Sequence, residues 1–162
     1  MPVDRIDPSA DRGFLDDTPR AACRVRFESG LTLPNWEWLR EHGAADSDLA
    51  DSDAYGELAS LLTKEPRNYL LGHPHPQQGP MERECQLVSN GLYCGDGSAH
   101  DDPRRAELEA GVHDWRLLLQ VDTDEDGPGW MWGDMGTLYY WIPEASLRRA
   151  DFSKAWLILQ CG

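Results

Sequence analysis

WRLLLQVDTDEDGPGWMWGDMGTLYYWIPEASLRRADFSKAWLILQC, residues 115–161, decides how this chain folds. Its apolar runs are short, rich in aromatics and separated by Asp, Gly and Pro, which is the pattern of β-strands joined by turns. Strands are expected over 115–121, around 130–132, over 137–142 and over 155–161. The two longest runs, RLLLQV and WLILQC, read as inner strands of a sheet. Five of the seven tryptophans fall here (Trp115, Trp130, Trp132, Trp141 and Trp156). The core is accordingly expected from Trp115, Leu117, Leu119, Trp141, Trp156, Leu157 and Leu159. A short helix over 144–149 fills the last connection, with Arg148 and Arg149 at the end where the helix dipole favours cations.

Upstream the signals are weaker. Residues 1–22 are polar, charged and punctuated by Pro2, Pro8 and Pro19, and read as a flexible arm preceding a single domain over 23–162. Cys23, Val25 and Phe27 alternate with charged neighbours, as a strand with one wet face would. Pro34 can open a short helix through 35–41. The acidic loop 43–53 can cap a helix over 54–64, where Tyr55, Leu58, Leu61 and Leu62 recur at helical spacing and Pro66 ends the run. GHPHPQQGP, residues 72–80, holds too many prolines and glycines for regular structure. Residues 81–90 suit a helix with Met81, Cys85 and Val88 on one face and Gly91 as its stop. A short charged helix over 103–110, capped by Asp101 or Asp102, precedes the sheet. Strands mixed with short helices, with no regular βαβ rhythm, indicate an α+β fold: a mainly antiparallel, twisted sheet with short helices packed on it.

Composition narrows the function classes. The 162 residues carry 29 acidic and 15 basic side chains, a formal charge of −14. That balance argues against nucleic acid, whose phosphates call for clustered Lys and Arg. No run reaches transmembrane length, and the charged start lacks the apolar core of a signal peptide. Cys23, Cys85, Cys94 and Cys161 form no CxxC pair, so four reduced thiols and a cytoplasmic location are expected.

Four blocks carry a family resemblance: YLLGHPHPQQG (69–79), ECQLVSNGLYCG (84–95), DWRLLLQVDTD (114–124), and WGDMGTLYYWI with AWLILQC (132–142 and 155–161). In content and order they resemble the YwqG-like family of bacterial proteins of uncharacterised function, from about Leu31 onward. The resemblance implies a fold, with no reaction or catalytic residues to carry over. It also implies a shortened member, since family members generally have a further N-terminal sheet region. An aliphatic residue is common in the family where Gln77 stands here, and His73 and His75 are not required.

Several constellations bear on chemistry. Asp122, Asp124 and Asp126, followed by Gly127, have the spacing of a calcium loop, with Asp134 as a late ligand. The twelfth position is Gly133 instead of Glu, so an acidic hairpin turn competes with that reading. His73 and His75, two residues apart, could present imidazoles to zinc with Cys94, His100 or Cys161. Cys85, Cys94 or Cys161 as a nucleophile, with His73, His100 or His113 as base, lacks a supporting motif. Trp130, Trp132, Asp134 and Tyr139 are the residues expected to contact a ligand on an open sheet face. Together these features point to a non-enzymatic module, without a resident cofactor, that binds a protein or small ligand and neither nucleic acid nor membrane. The alternatives are a metal-assisted hydrolase using the acidic loop and an immunity or anti-toxin partner protein.

Overall fold

The structure, a computed structural model, describes residues 22–41, 43 and 53–162. The expected arm and most of the acidic loop at 43–53 lie outside the described residues. In chain order the elements are α1 (Trp36–Glu41), α2 (Asp53–Leu62), β1 (Tyr69–Leu70), α3 (Glu82–Ser89), α4 (Ser98–Asp101) and α5 (Arg105–Leu108). A 3₁₀ helix (Glu109–Asp114) leads into β2 (Trp115–Asp122), followed by β3 (Thr137–Pro143) and α6 (Glu144–Arg148). A second 3₁₀ helix (Phe152–Lys154) then precedes β4 (Trp156–Gln160). The four strands form one antiparallel sheet in the order β1-β2-β3-β4, which makes this an α+β fold. No described helix is long and apolar enough to cross a membrane.

Local chemistry accounts for several boundaries. Asn35 accepts the Trp38 amide on its side-chain oxygen at 2.8 Å and so starts α1. Gly91 follows α3 with φ of +80°, a conformation that stops a helix at little cost only for glycine. Asp102 accepts the Arg104 amide at 2.8 Å and turns the chain into α5.

β2 and β3 pair from Trp115↔Pro143 to Asp122↔Thr137, with a register shift between Leu117 and Leu119. The extra residue reverses the alternation of β2. Trp115 and Leu117 face inward before it, and Gln120 and Asp122 face inward after it. The inner face is therefore graded. Its apolar half joins Trp115, Leu117, Tyr139, Trp141 and Ile158 to Met81 and Cys85 at the start of α3. Its polar half consists of Gln120, Asp122, Thr137 and Gln160, all buried. A satellite cluster of Leu87, Leu92 and Ala99 packs beside it.

Three expectations are corrected. Residues 23–28 form no strand, and Val25 and Phe27 are 68% and 70% exposed; alternation alone supplies no partner, and β1 already occupies the β2 edge. Residues 130–132 make one isolated bridge, Asp124↔Trp130, because Gly129 and Gly133 take left-handed φ and the Trp132 amide bonds the Thr123 hydroxyl. WLILQC is an edge strand and not an inner one. Trp156, Leu157 and Leu159 are 36%, 47% and 46% exposed, while Ile158 and Gln160 turn inward. Leu119, also expected in the core, is half-buried on the outer face.

Candidate functional site

The polar half of the sheet holds the proline-rich segment 73–79 by its backbone. Gln120 sits at the centre of β2 with no exposed surface. Its Oε1 accepts the His75 amide and its Nε2 donates to the Arg67 carbonyl, each at 2.9 Å. Gln160, on the far strand, accepts the amides of both Gln77 and Gln78 on Oε1 at 2.9 Å, and donates to the Gly79 carbonyl at 3.0 Å. Between them, the Tyr139 hydroxyl donates to the His75 carbonyl at 2.8 Å. A segment carrying Pro74 and Pro76 cannot pair as a strand, and here side-chain amides take the role of a neighbouring backbone. Gln77 Nε2 adds bonds to Thr137 Oγ1 and the Met135 carbonyl. Gln77 Oε1 is buried and has no partner among the described residues.

Asp122 closes one end of this network. It accepts the Thr137 hydroxyl at 2.7 Å, the Arg67 amide at 2.9 Å and the Thr123 amide at 3.1 Å, and pairs with Arg67 Nε at 3.3 Å. Burial alone would raise its carboxyl, but the Thr137 and Arg67 hydrogen bonds, with the Arg67 charge, hold it below the usual carboxylate range. Arg67 Nη1 also reaches His75 Nδ1 at 2.8 Å. A guanidinium only donates, so the imidazole accepts there and carries its proton on Nε2. Burial first, and the Arg67 charge second, push the His75 pKa down.

The opposite side of segment 73–79 lines a cleft of about 350 Å³. Its other wall comes from residues 31–37, from Tyr55, Ala59 and Leu62 of α2, and from Thr63 and Tyr69. The walls are tied together by the His73 amide, which donates to Thr32 Oγ1 at 2.7 Å, and by the His73 ring, which meets Trp38 edge-to-face at 4.9 Å; within the second wall the Tyr55 hydroxyl donates to the Pro34 carbonyl at 2.6 Å. Gly72, with φ of +83°, has no room for a side chain, since a Cβ there would lie 2.5 Å from Thr32 Oγ1. Burial raises the phenols of Tyr55 and Tyr69, which keeps both neutral. The described lining contains one carboxylate, Glu37, and neither Lys nor Arg.

The residues singled out from sequence are distributed differently. Trp130 and Trp132 do come together, with ring centroids 5.8 Å apart, both half-buried, and Asp134 is exposed in the same turn region. Tyr139 is fully buried in the core and does not share an open face with them. Asp122 faces inward, Asp124 accepts the Gly127 amide at 2.8 Å, and Asp126 is exposed, so the three carboxylates do not converge. Among the described residues no three His, Cys, Asp or Glu side chains gather as a metal set. All four cysteines are free thiols. Cys85 is buried at the α3–sheet contact, where desolvation and then Glu84 and Glu82 push its pKa far up, against thiolate chemistry.

The sequence reading missed Gln120, Gln160, Thr137 and Arg67. A signal was present: LLLQ and LILQ each set a glutamine into an apolar strand. A polar group buried in that way needs partners, and the proline-rich segment supplies them.

Comparison with known proteins gives one family: residues 12–161 match the description Domain of unknown function (DUF1963). The match begins upstream of Leu31 and spans nearly the whole chain. No curated protein matches the chain.

Proposed function

The chain belongs to the DUF1963 family, and from that premise we propose that it is a binding module whose cleft, between segment 73–79 and residues 31–37 with α2, takes a neutral or cationic small molecule. The observation that carries this reading is the lining itself. Trp36, Tyr55 and Tyr69 offer aromatic surface, Thr63, His73 and His75 offer polar contacts, and Glu37 is the single formal charge among the described lining residues. A concave site of this size, with aromatic surface beside polar groups, is the usual setting for small-ligand binding. An anion would meet no fixed cation there and one carboxylate.

Metal-assisted hydrolysis through Asp122, Asp124, Asp126 and Asp134 would require Asp122 to leave Arg67 and Thr137, and the cleft has no carboxylate pair to replace it. The quoted blocks at 69–79, 84–95 and 114–124 support a YwqG-like, bacterial member of the family. The four free thiols support a cytoplasmic location.

A thermal-shift screen tests the reading with neutral, cationic and anionic small molecules. Binding to the folded state raises Tm with ligand concentration. Hits are expected among neutral and cationic compounds, and Ala59→Trp, which fills the cleft, is expected to remove their shifts while leaving the unliganded Tm within a few degrees. Hits confined to anions, or hits unaffected by Ala59→Trp, would overturn the assignment of this cleft.

A further inference from the structure

The charges around the cleft are unevenly satisfied. Arg67 is not part of the lining; it meets the His75 ring from outside it, and its guanidinium is engaged by Glu65 at 3.0 Å and Asp122 at 3.3 Å. The His75 ring accepts from Arg67 and is therefore neutral, so it adds no cation to the lining. Glu37, in the first turn of α1, lines the opposite wall and is half-buried. Among the described residues no ion pair or hydrogen bond engages its carboxylate. Arg40, the basic residue of α1, is exposed and lies outside the lining. The cleft thus holds one carboxylate whose charge no described residue neutralises.

Aromatic rings share that lining. Trp36 adjoins Glu37 in the chain and is 38% exposed, and Tyr55 and Tyr69 complete the aromatic surface. The Tyr55 hydroxyl is spent on the Pro34 carbonyl, and burial keeps both phenols neutral, so the rings bring π-electron density without a competing charge. Electron-rich ring faces attract organic cations, and a partly buried carboxylate attracts them more strongly than one in open water. The formal charge of −14 draws cations toward the chain and repels anions.

We propose that the cleft is selective for a small organic ammonium ion and that Glu37 is the residue that recognises its charge; this rests on the binding reading above and narrows it to one chemical class. A neutral molecule of the same shape fills the same space and gains nothing from Glu37. A hard divalent ion fits the site badly, because one carboxylate supplies only a fraction of the roughly six oxygens such an ion needs. An alkylated ammonium asks for less: one counter-charge, and apolar or aromatic walls around its methyl groups.

The test compares choline with dimethylbutanol, in which carbon replaces the charged nitrogen. Each is titrated into the full chain at constant ionic strength and followed by NMR shift changes, so that general attraction of cations to an acidic surface is screened equally. Saturable choline binding is expected, with a dissociation constant of about 1 mM for so small a molecule. Dimethylbutanol should bind at least about fivefold more weakly, the effect of losing one partly desolvated cation contact. Glu37→Gln should weaken choline by a similar factor, leave dimethylbutanol unchanged and keep the Tm, since the carboxylate has no described partner to lose. Ala59→Trp should remove both. Equal binding of the two molecules, both lost in Ala59→Trp, would overturn the selectivity while the cleft assignment stood. Choline binding that survives Glu37→Gln, or no saturable shift up to about 20 mM, would also overturn it. Choline binding that survives Ala59→Trp would place the cation elsewhere and overturn the inference and the cleft assignment together.

Discussion

Gln120 and Gln160 stand on β2 and β4, one strand apart from each other across β3, and their carboxamides hold the two ends of one stretch of backbone, from His75 to Gly79. The fold thus uses two buried side chains to fix the wall of its cleft.

Replacing Gln160 with the near-isosteric Leu should therefore be costly. It leaves the Gln77 and Gln78 amides and the Gly79 carbonyl without their partner, at about 1–3 kcal/mol for each group that stays buried. A total loss of about 3 kcal/mol in urea unfolding is expected. A loss below about 1 kcal/mol would show that segment 73–79 is held by other means.

Acid should weaken the protein in two steps. His75 has a folded pKa below its ordinary 6.5, so its contribution is complete above that value and is lost as pH falls toward the folded one. Asp122 is also depressed, from an ordinary 3.8, so its contribution is present above that value and disappears as pH falls further. Stability measured against pH should decline first below about 6.5 and again below about 4. His75→Gln is expected to flatten the first decline and leave the second; an unchanged first decline would move it to another histidine.

The two tryptophans paired across β3 and β4 should behave unequally. Trp141 is 1% exposed, and Trp141→Ala should cost about 3–5 kcal/mol. Trp156, at 36%, should cost only about 1–2 kcal/mol when truncated, below what a fully buried ring would. Trp141 Nε1 is buried without a partner among the described residues, so Trp141→Phe removes an unsatisfied donor along with ring volume. Denaturant melts giving the same loss for both alanine variants would contradict the edge position of β4.

The acidic turn separates its carboxylates by role. Asp124→Asn keeps an oxygen for the Gly127 amide and should be neutral within about 0.5 kcal/mol. Asp122→Asn removes the charge paired with Arg67 and should cost about 2–3 kcal/mol. Millimolar calcium should leave Tm within about 1 °C, since the carboxylates do not converge. A calcium-dependent rise of several degrees that vanishes in Asp124→Asn would reverse this expectation.

Thiol reactivity should follow burial. Cys23 is exposed and should react with a disulfide reagent at once, while Cys85 should react only on unfolding. Four thiols are expected on denaturation without reductant. Rapid modification of Cys85 in the folded protein would contradict its place against Met81 and the sheet.

The strands that fold by pairing with sequence neighbours were legible. The runs at 115–121 and 137–142 match β2 and β3 within a residue or two, and the helix after Pro143 follows from its capping and charge pattern. Strand order was not legible, because an apolar run such as WLILQ looks alike at an edge and in the middle. The cleft was also hidden. Its wall is proline-rich segment 73–79, which has no periodicity, and its anchor residues lie 45 and 83 positions away in sequence. The sequence puts Trp130, Trp132 and Tyr139 on one open face; the two indoles meet in the structure, while the strand of Tyr139 turns it inward.

The shift between Leu117 and Leu119 works as a change of phase written into one residue. Leu118 is the residue left without a partner on β3, and it lets Leu117 and Gln120, three positions apart, share the inner face; deleting it would join Leu117↔Trp141 directly to Leu119↔Tyr140 and leave Gln120 and Asp122 inward in strict alternation. An eight-residue strand of the same composition that alternated strictly from Trp115, with Leu118 paired, would instead turn Gln120 and Asp122 outward and have no grip on segment 73–79. Whether Leu118 pairs or bulges therefore decides which side of the protein the polar residues of β2 occupy.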